Sequence, residues 1–426
     1  MHSGRLVPHT SSRGWCLQLA GSAMVRCRCL AWWRGSDTSS GDEAPLPPRE
    51  ALGQAVAPPA PPQPAPPRPA PPKGDTPKLR RTELPLRRPE AAPGGSVSAA
   101  ACAPLRVMTF NILADGLAQH GDFVHAPQEV LSWSYRFPRI IEEVVEGRCD
   151  IVCLQEANHY DEIAAALAGH GFAGFFQPKR PAPPERFGAP PDGTALFYRA
   201  ARLSPAPGPR GAAYAAPGGR GAMTQGFVIA TLADAAAGGR LVVAAATHLK
   251  AKEGAANDET RRLQAQQLLA ELSAARAAAA AAAPGGPEPG VLVMGDFNAV
   301  PASPACQAMA ADPELQLQSI WTVPWADAAD GDGDGAPPPP PPQQQQQQQQ
   351  ATGDGGGGGE PEFTTWKFRP QGESRRVIDH LFFSPAALAP AARWRMPGAA
   401  DVGPGGLPCA AYPSDHMAVM CELAWR

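Results

Sequence analysis

Four apolar runs in this chain each end on one polar side chain, and that pattern limits what the chain can fold into. They are "RVMTFNIL" around Asn111, "DIVCLQE" closing on Glu156, "VLVMGDFN" carrying Asp296 and Asn298, and "MAVMCEL", entered through Asp415 and His416. Runs this short and apolar read as buried strands. A strand that stops at a carboxylate, an amide or an imidazole presents that group at the rim of a sheet. "FAGFFQ", "GTALFYR", "FVIATL", "RLVVAAATHL" and "VIDHLFF" supply further strands, separated by Gly and Pro turns. In "WSYRFPRIIEEVVEG" the spacing of Tyr135, Ile140, Ile141, Val144 and Val145 predicts a helix that Gly147 stops. "NDETRRLQAQQLLAELSAARAAAAAAA" predicts the longest helix. Strands outnumber helices, so neither an alternating βα barrel nor a Rossmann sheet fits. The expected class is α/β, with two sheets packed face to face and helices on the outer faces.

Not all of the 426 residues can join that core. The 44 glycines and 52 prolines lie mostly outside the motif-bearing region. Residues 1–45 carry Arg5, Arg13, Arg26, Arg28 and Arg34 with no acid before Asp37, the composition of a mitochondrial transit peptide or of an unstructured leader. Residues 46–103 read as a Pro/Ala-rich, polyproline-like tether. Residues 104–426 form the expected folded domain, interrupted near 326–360 by an insertion of "GDGDG" and proline, glutamine and glycine runs. The expected location is mitochondrial, cytoplasmic or both. The net charge of −3, with no block of Lys or Arg, argues against a dedicated tracker of long nucleic acid and leaves room for a small anionic substrate. The nine cysteines show no zinc spacing and are expected to be reduced thiols; no apolar run reaches the length of a membrane span.

The polar strand ends carry the chemistry. Glu156, beside Asn111 and Asp296, is a candidate Mg²⁺ ligand, because Mg²⁺ takes few protein oxygens and keeps waters for substrate to replace. Asp296 and Asn298, two apart in "GDFN", are expected on one side of an extended backbone, the aspartate taking a proton from water that the asparagine holds. Gly295 allows close backbone approach. His416 can donate to a phosphoryl oxygen or shuttle a proton, with Asp379 as its orienting carboxylate. His248, Lys250 and Lys252 in "THLKAK" offer an imidazole and two ammonium groups at alternate positions of a strand end. Lys179 and Arg369 are single cations.

The strings "RVMTFNILA", "DIVCLQEANHY", "PDGTALFY", "THLKAK", "GDFNAVP", "FTTWKFRPQGE" and "YPSDHMAVMCE", in this order, resemble the endonuclease/exonuclease/phosphatase superfamily, and within it the deadenylase-like branch. The resemblance implies a four-layer α/β-sandwich and Mg²⁺ dependence. It implies Glu156 as main metal ligand with Asn111 nearby, and Asp296 and Asn298 as the residues that activate and hold the attacking water. It implies His416, paired with Asp379, as the phosphate-stabilising imidazole, and Lys179, Lys250 and Arg369 as phosphate-facing cations. Lys252 stands where the branch carries arginine, which keeps the charge and loses the bidentate fork. The implied substrate is NADP⁺ and NADPH, whose 2′-phosphate is removed; poly(A), trimmed from its 3′ end at the same site, is the alternative, and a monomer is expected. A catalytically inactive scaffold is the third reading, against which the complete set of site residues speaks.

Overall fold

Strands that are apolar on both sides need cover on both faces, and two seven-stranded sheets packed on each other provide it. The computed structural model describes residues 78–86, 102–219, 221–326 and 360–426. One sheet runs in the spatial order β1 (Thr82–Pro85), β15 (Leu388–Arg395), β16 (Val419–Trp425), β2 (Leu105–Asn111), β3 (Ile151–Gln155), β5 (Gly193–Arg199) and β4 (Phe172–Pro178). The other runs β11 (Gln318–Ser319), β14 (Asp379–Phe383), β10 (Gly290–Asp296), β9 (Arg240–His248), β8 (Ala222–Asp234) and β6 (Leu203–Pro205), with β7 (Arg210–Ala215) also paired to β8. β12 (Thr365–Arg369) and β13 (Gly372–Arg376) make a separate hairpin.

Each sheet is mixed, with one parallel pair near its middle: β2 with β3, and β9 with β10. All other pairings are antiparallel. Side chains alternate across the pleat. Val242, Ala244 and Ala246 of β9 and Leu292 and Met294 of β10 therefore face the inter-sheet core. Val243, Ala245, Val291 and Val293 face a second cluster beneath the helices Ala255–Ala282 and Pro304–Ala310. Ile140 and Val144 of the helix Trp133–Glu146, and Ile163 and Leu167 of Tyr160–Ala168, join the core of the first sheet. The layers are helix, sheet, sheet, helix. Gly147 follows the helix Trp133–Glu146 and lets Met108 pack close, since a Cβ there would stand 2.6 Å from Met108 Cε.

One boundary needs correction. Residues 78–86 lie inside the stretch read as a tether, yet they pair with the edge strand β15, and Leu79 and Leu86 are buried in the core. The prolines around "LRRTELPL" hide two apolar anchors that find a free sheet edge. The leader (1–45), the rest of the tether and nearly all of the 326–360 insertion lie outside the described residues. Among the described residues no helix is long and apolar enough to cross a membrane, and the six described cysteines are free thiols.

Candidate active site

The two parallel pairs bring four strand ends to one rim, and the antiparallel neighbours add two strand starts. Asn111 ends β2 and pairs in register with Gln155, the last residue of β3; Glu156 follows. Asp296 ends β10, in register with His248 at the end of β9 and with Asp379 at the start of β14. His416 lies just ahead of β16, which starts where β2 stops. Gly295 permits the close pairing beneath Asp296, since a Cβ there would lie 2.1 Å from Thr247 O.

These groups meet. Asn111 Nδ2 donates to Asp296 Oδ2 at 3.0 Å and to Glu156 Oε1 at 3.3 Å, so one amide joins carboxylates from the two sheets. Glu156 is half-buried, and its Oε2 accepts the Ala114 backbone N–H at 2.9 Å. Its φ of +59° turns the chain off the strand in the left-handed region, which few non-glycine residues adopt. Asp296 is 1 % exposed, and its Oδ1 accepts the Asn298 N–H at 2.8 Å. Burial pushes its carboxyl up to about 6, against the opposing pull of His416 and with Asp379 adding to the rise. His416 Nδ1 bonds Asp379 Oδ2 at 2.9 Å, and the same oxygen accepts from Thr364 Oγ1 at 2.6 Å. Burial alone would lower the imidazole, but Asp379, Asp296 and Asp415 together lift it to about 9. Its Nε2 then carries a proton and lies 3.9 Å from Asp296 Oδ2.

His248 is the neutral counterpart. Burial, then the charges of Lys179, His416 and Lys367, hold it well below the ordinary imidazole value. Lys179 Nζ lies 3.2 Å from His248 Nδ1, and an ammonium only donates, so Nδ1 accepts and the ring proton sits on Nε2, 3.5 Å from Asp296 Oδ2. Lys179 is thus differently employed from a phosphate-facing cation. It is buried and ion-paired to Asp192 Oδ2 at 2.6 Å, leaving one of its three donors for anything else.

Two further expectations change on contact with the geometry. "GDFN" is not extended: Asn298 has a φ of +49°, Asp296 caps its N–H in an Asx turn, and its Nδ2 donates to Leu249 O at 3.2 Å. β9 ends at His248, so Lys250 and Lys252 lie in the following loop, Lys252 with a φ of +79°, and their alternation along a strand does not hold. The buried Arg261 shapes that loop by donating to the Lys250 and Lys252 carbonyls, both at 2.7 Å. Among the described residues neither ammonium is ion-paired. Arg369 Cζ lies over the Phe123 ring, 3.6 Å from its centroid, and Arg369 Nη2 lies 3.9 Å from Asp415 Oδ2.

Sequence reading missed three participants. Lys367 pairs with Asp415 Oδ2 at 2.7 Å and, with Arg369, holds that carboxyl far below its usual range despite burial; its position two before Arg369 on β12 was the available signal. Arg136, fully buried, donates to the carbonyls of Ile112 and Leu113 at 2.8 Å each and so fixes the turn after Asn111. Asp192, in "PDGT", is the partner that lets Lys179 stay charged inside the protein.

A divalent cation fits here on donor chemistry. Asp296, Asp379 and His416 each offer a ligand atom within 4.8 Å of the others. The hydrogen bond of His416 to Asp379 and its raised proton affinity, however, make those two a proton-holding dyad, since a ligating imidazole must be neutral. The hard oxygen donors suited to Mg²⁺ are Glu156 with Asn111, in contact with the Asp296 carboxylate.

A family model described as "Endonuclease/Exonuclease/phosphatase family" matches residues 108–416. Nocturnin of Drosophila melanogaster is 29 % identical over 353 residues, covering 77 % of this chain and 48 % of its own length. Nocturnin of Homo sapiens is 31 % identical over 326 residues, covering 76 % of this chain and 65 % of its own. The chain thus spans about half to two thirds of the length of these relatives. The solved human nocturnin catalytic domain with a bound sulfate anion superposes with a TM-score of 0.57 at 26 % identity, covering 82 % of this chain and 97 % of that one.

Proposed function

The chain belongs to the endonuclease/exonuclease/phosphatase family, and on that footing we propose that it is a Mg²⁺-dependent phosphatase that removes the 2′-phosphate of NADP⁺ and NADPH. The observation that carries the reading is a short basic loop directly after His248, with Lys367 and Arg369 beside Asp415 on the hairpin. Lys250 and Lys252 follow His248 on a single loop, Arg369 and Lys367 approach from the hairpin, and no basic track leads away along the sequence. Such a set suits one small, highly charged ligand better than a polymer. The match to the endonuclease/exonuclease/phosphatase family supports the coarser part of that reading, hydrolysis of a phosphoric ester.

The chemistry follows from the side chains. Asp296, oriented by Asn111 on one oxygen and by the Asn298 N–H on the other, takes a proton from the attacking water. Its raised proton affinity suits a base that works near neutral pH. The Nε2–H groups of His416 and His248 both lie within 4 Å of Asp296 Oδ2, and they donate to the phosphoryl oxygens as charge builds. Glu156 and Asn111 would hold Mg²⁺, which neutralises phosphate charge when bound. Water attacks phosphorus as its proton passes to Asp296, the P–O bond to the ribose breaks, and the departing ribose oxygen takes a proton from solvent water, to which Asp296 later returns its own. Purified full-length chain with Mg²⁺ should release inorganic phosphate from NADP⁺ and NADPH and leave oligo(A) intact. Shortening of oligo(A) with NADP⁺ untouched would overturn the assignment in favour of a 3′-exoribonuclease.

A further inference from the structure

Residues 78–86 do more than cover a sheet edge. Arg81, its side chain 7 % exposed, donates through Nη1 to Glu143 Oε1 at 3.0 Å and through Nη2 to the Ala418 carbonyl at 2.5 Å. Glu143, 2 % exposed on the helix Trp133–Glu146, also accepts from Tyr412 OH at 3.1 Å. That same hydroxyl accepts the Ala418 N–H at 2.9 Å. Arg81, Glu143 and Tyr412 therefore grip both the N–H and the carbonyl of Ala418, and Tyr412 opens the seven-residue stretch that ends there. Asp415 and His416 lie between the two gripped ends. The opposite side of the stretch is fixed by Ser414 Oγ, which donates to Asn111 O at 2.6 Å and accepts the His416 N–H at 3.2 Å. The ring of Tyr412 packs on Phe110, next to Asn111, with centroids 5.8 Å apart. Leu79 N–H donates to Ala411 O at 3.4 Å, adding a backbone tie from the same segment.

We propose that Arg81 is a positioning residue for hydrolysis: the segment 78–86 acts as a strap that sets the placement of His416 through Glu143, Tyr412 and Ala418. The strap lies outside residues 108–416, which match the family model. A cation at this point suits the task for a chemical reason. Without Arg81 the buried Glu143 keeps only the more exposed Lys78, whose Nζ lies 3.1 Å from Oε2, and the planar guanidinium spans the Glu143 carboxylate and the Ala418 carbonyl through two of its nitrogens.

The proposal rests on His416 taking part in catalysis and not on which phosphate ester is cleaved. Turnover is therefore read on whichever of NADPH or oligo(A) the wild-type full chain hydrolyses, so failure of the substrate assignment leaves this test standing. Arg81→Ala should lower kcat at least tenfold while KM stays within twofold. Combined with His416→Ala, measured at high enzyme concentration in single turnover, it should cost no further activity, because the group it positions is gone. Tyr412→Phe keeps the ring packing and removes only the hydroxyl, and should show the same loss of effect in the His416→Ala background, with a smaller kcat change. Equal losses with and without His416 would mean that the strap merely stabilises the fold, and unchanged kcat in both single variants would mean that it positions nothing. Either result overturns the proposal.

Discussion

Replacing Asp379 by asparagine isolates the charge that keeps His416 protonated. The Asp379 carboxylate bonds His416 Nδ1 at 2.9 Å, is fully buried, and heads the carboxylates that lift the imidazole to about 9 from its ordinary 6.5. That rise is worth ~3 kcal/mol at ~1.4 kcal/mol per pH unit. A single buried charge pair at this range can supply such an amount even at an effective dielectric of about 20. The amide of Asp379→Asn can still accept from Nδ1, so orientation survives while the charge does not. Burial then acts with less opposition, and the imidazole falls to its ordinary value or below. At pH 7.5 the protonated fraction drops from nearly all to about a tenth, and velocity should fall roughly tenfold. The assay is the pH dependence of kcat/KM from 5.5 to 10, followed by phosphate release. Wild-type activity declines as pH rises through about 9, since the raised value keeps the proton until then. In Asp379→Asn the decline moves to pH 6.5 or lower. An alkaline limb that stays near 9 in the variant would refute the argument that the carboxylate sets the charge on His416.

Two further outcomes follow from the site. Glu156→Gln should lower turnover ~100-fold or more by weakening metal binding; Mg²⁺ should raise the melting temperature of the wild type and not of the variant, and equal Mg²⁺ stabilisation of both would place the cation elsewhere. Lys179→Met leaves Asp192 buried without its cation and should cost ~3–5 kcal/mol in urea unfolding, part of which Asp192→Asn restores in the double variant; a single variant as stable as wild type would mean that the pair carries no stability.

The rim of the fold was legible because apolar strands ending on polar groups leave little choice about where those groups go. Asn111, Glu156, Asp296, Asp379 and His416 were each found from the residue that closes or opens a run, and the structure brings them together. What sequence could not deliver was the pairing of charges. Lys179 and Lys250 look alike in a string of letters, yet Lys179 is neutralised by Asp192 while Lys250 stands in a loop held by Arg261. Left-handed backbone at Asn298 and Lys252 defeated arguments from strand alternation, because such turns depend on side-chain caps formed only in the folded chain. Residues 78–86 escaped notice because three leucines and one proline among charged residues carry no clear periodicity; only an unpaired edge strand elsewhere gives them something to bind.

The placement of β16 ties the imidazole to the closure of the first sheet. This strand, Val419–Trp425, lies between β15 and β2 inside the first sheet, and the imidazole at position 416 immediately precedes it. Three of the reacting groups hang from one sheet and three from the other. A chain cut ahead of His416 keeps Asn111, Glu156, His248 and Asp296 but has neither the imidazole nor the strand that joins β15 to β2. One cut therefore removes the ring and opens the sheet together.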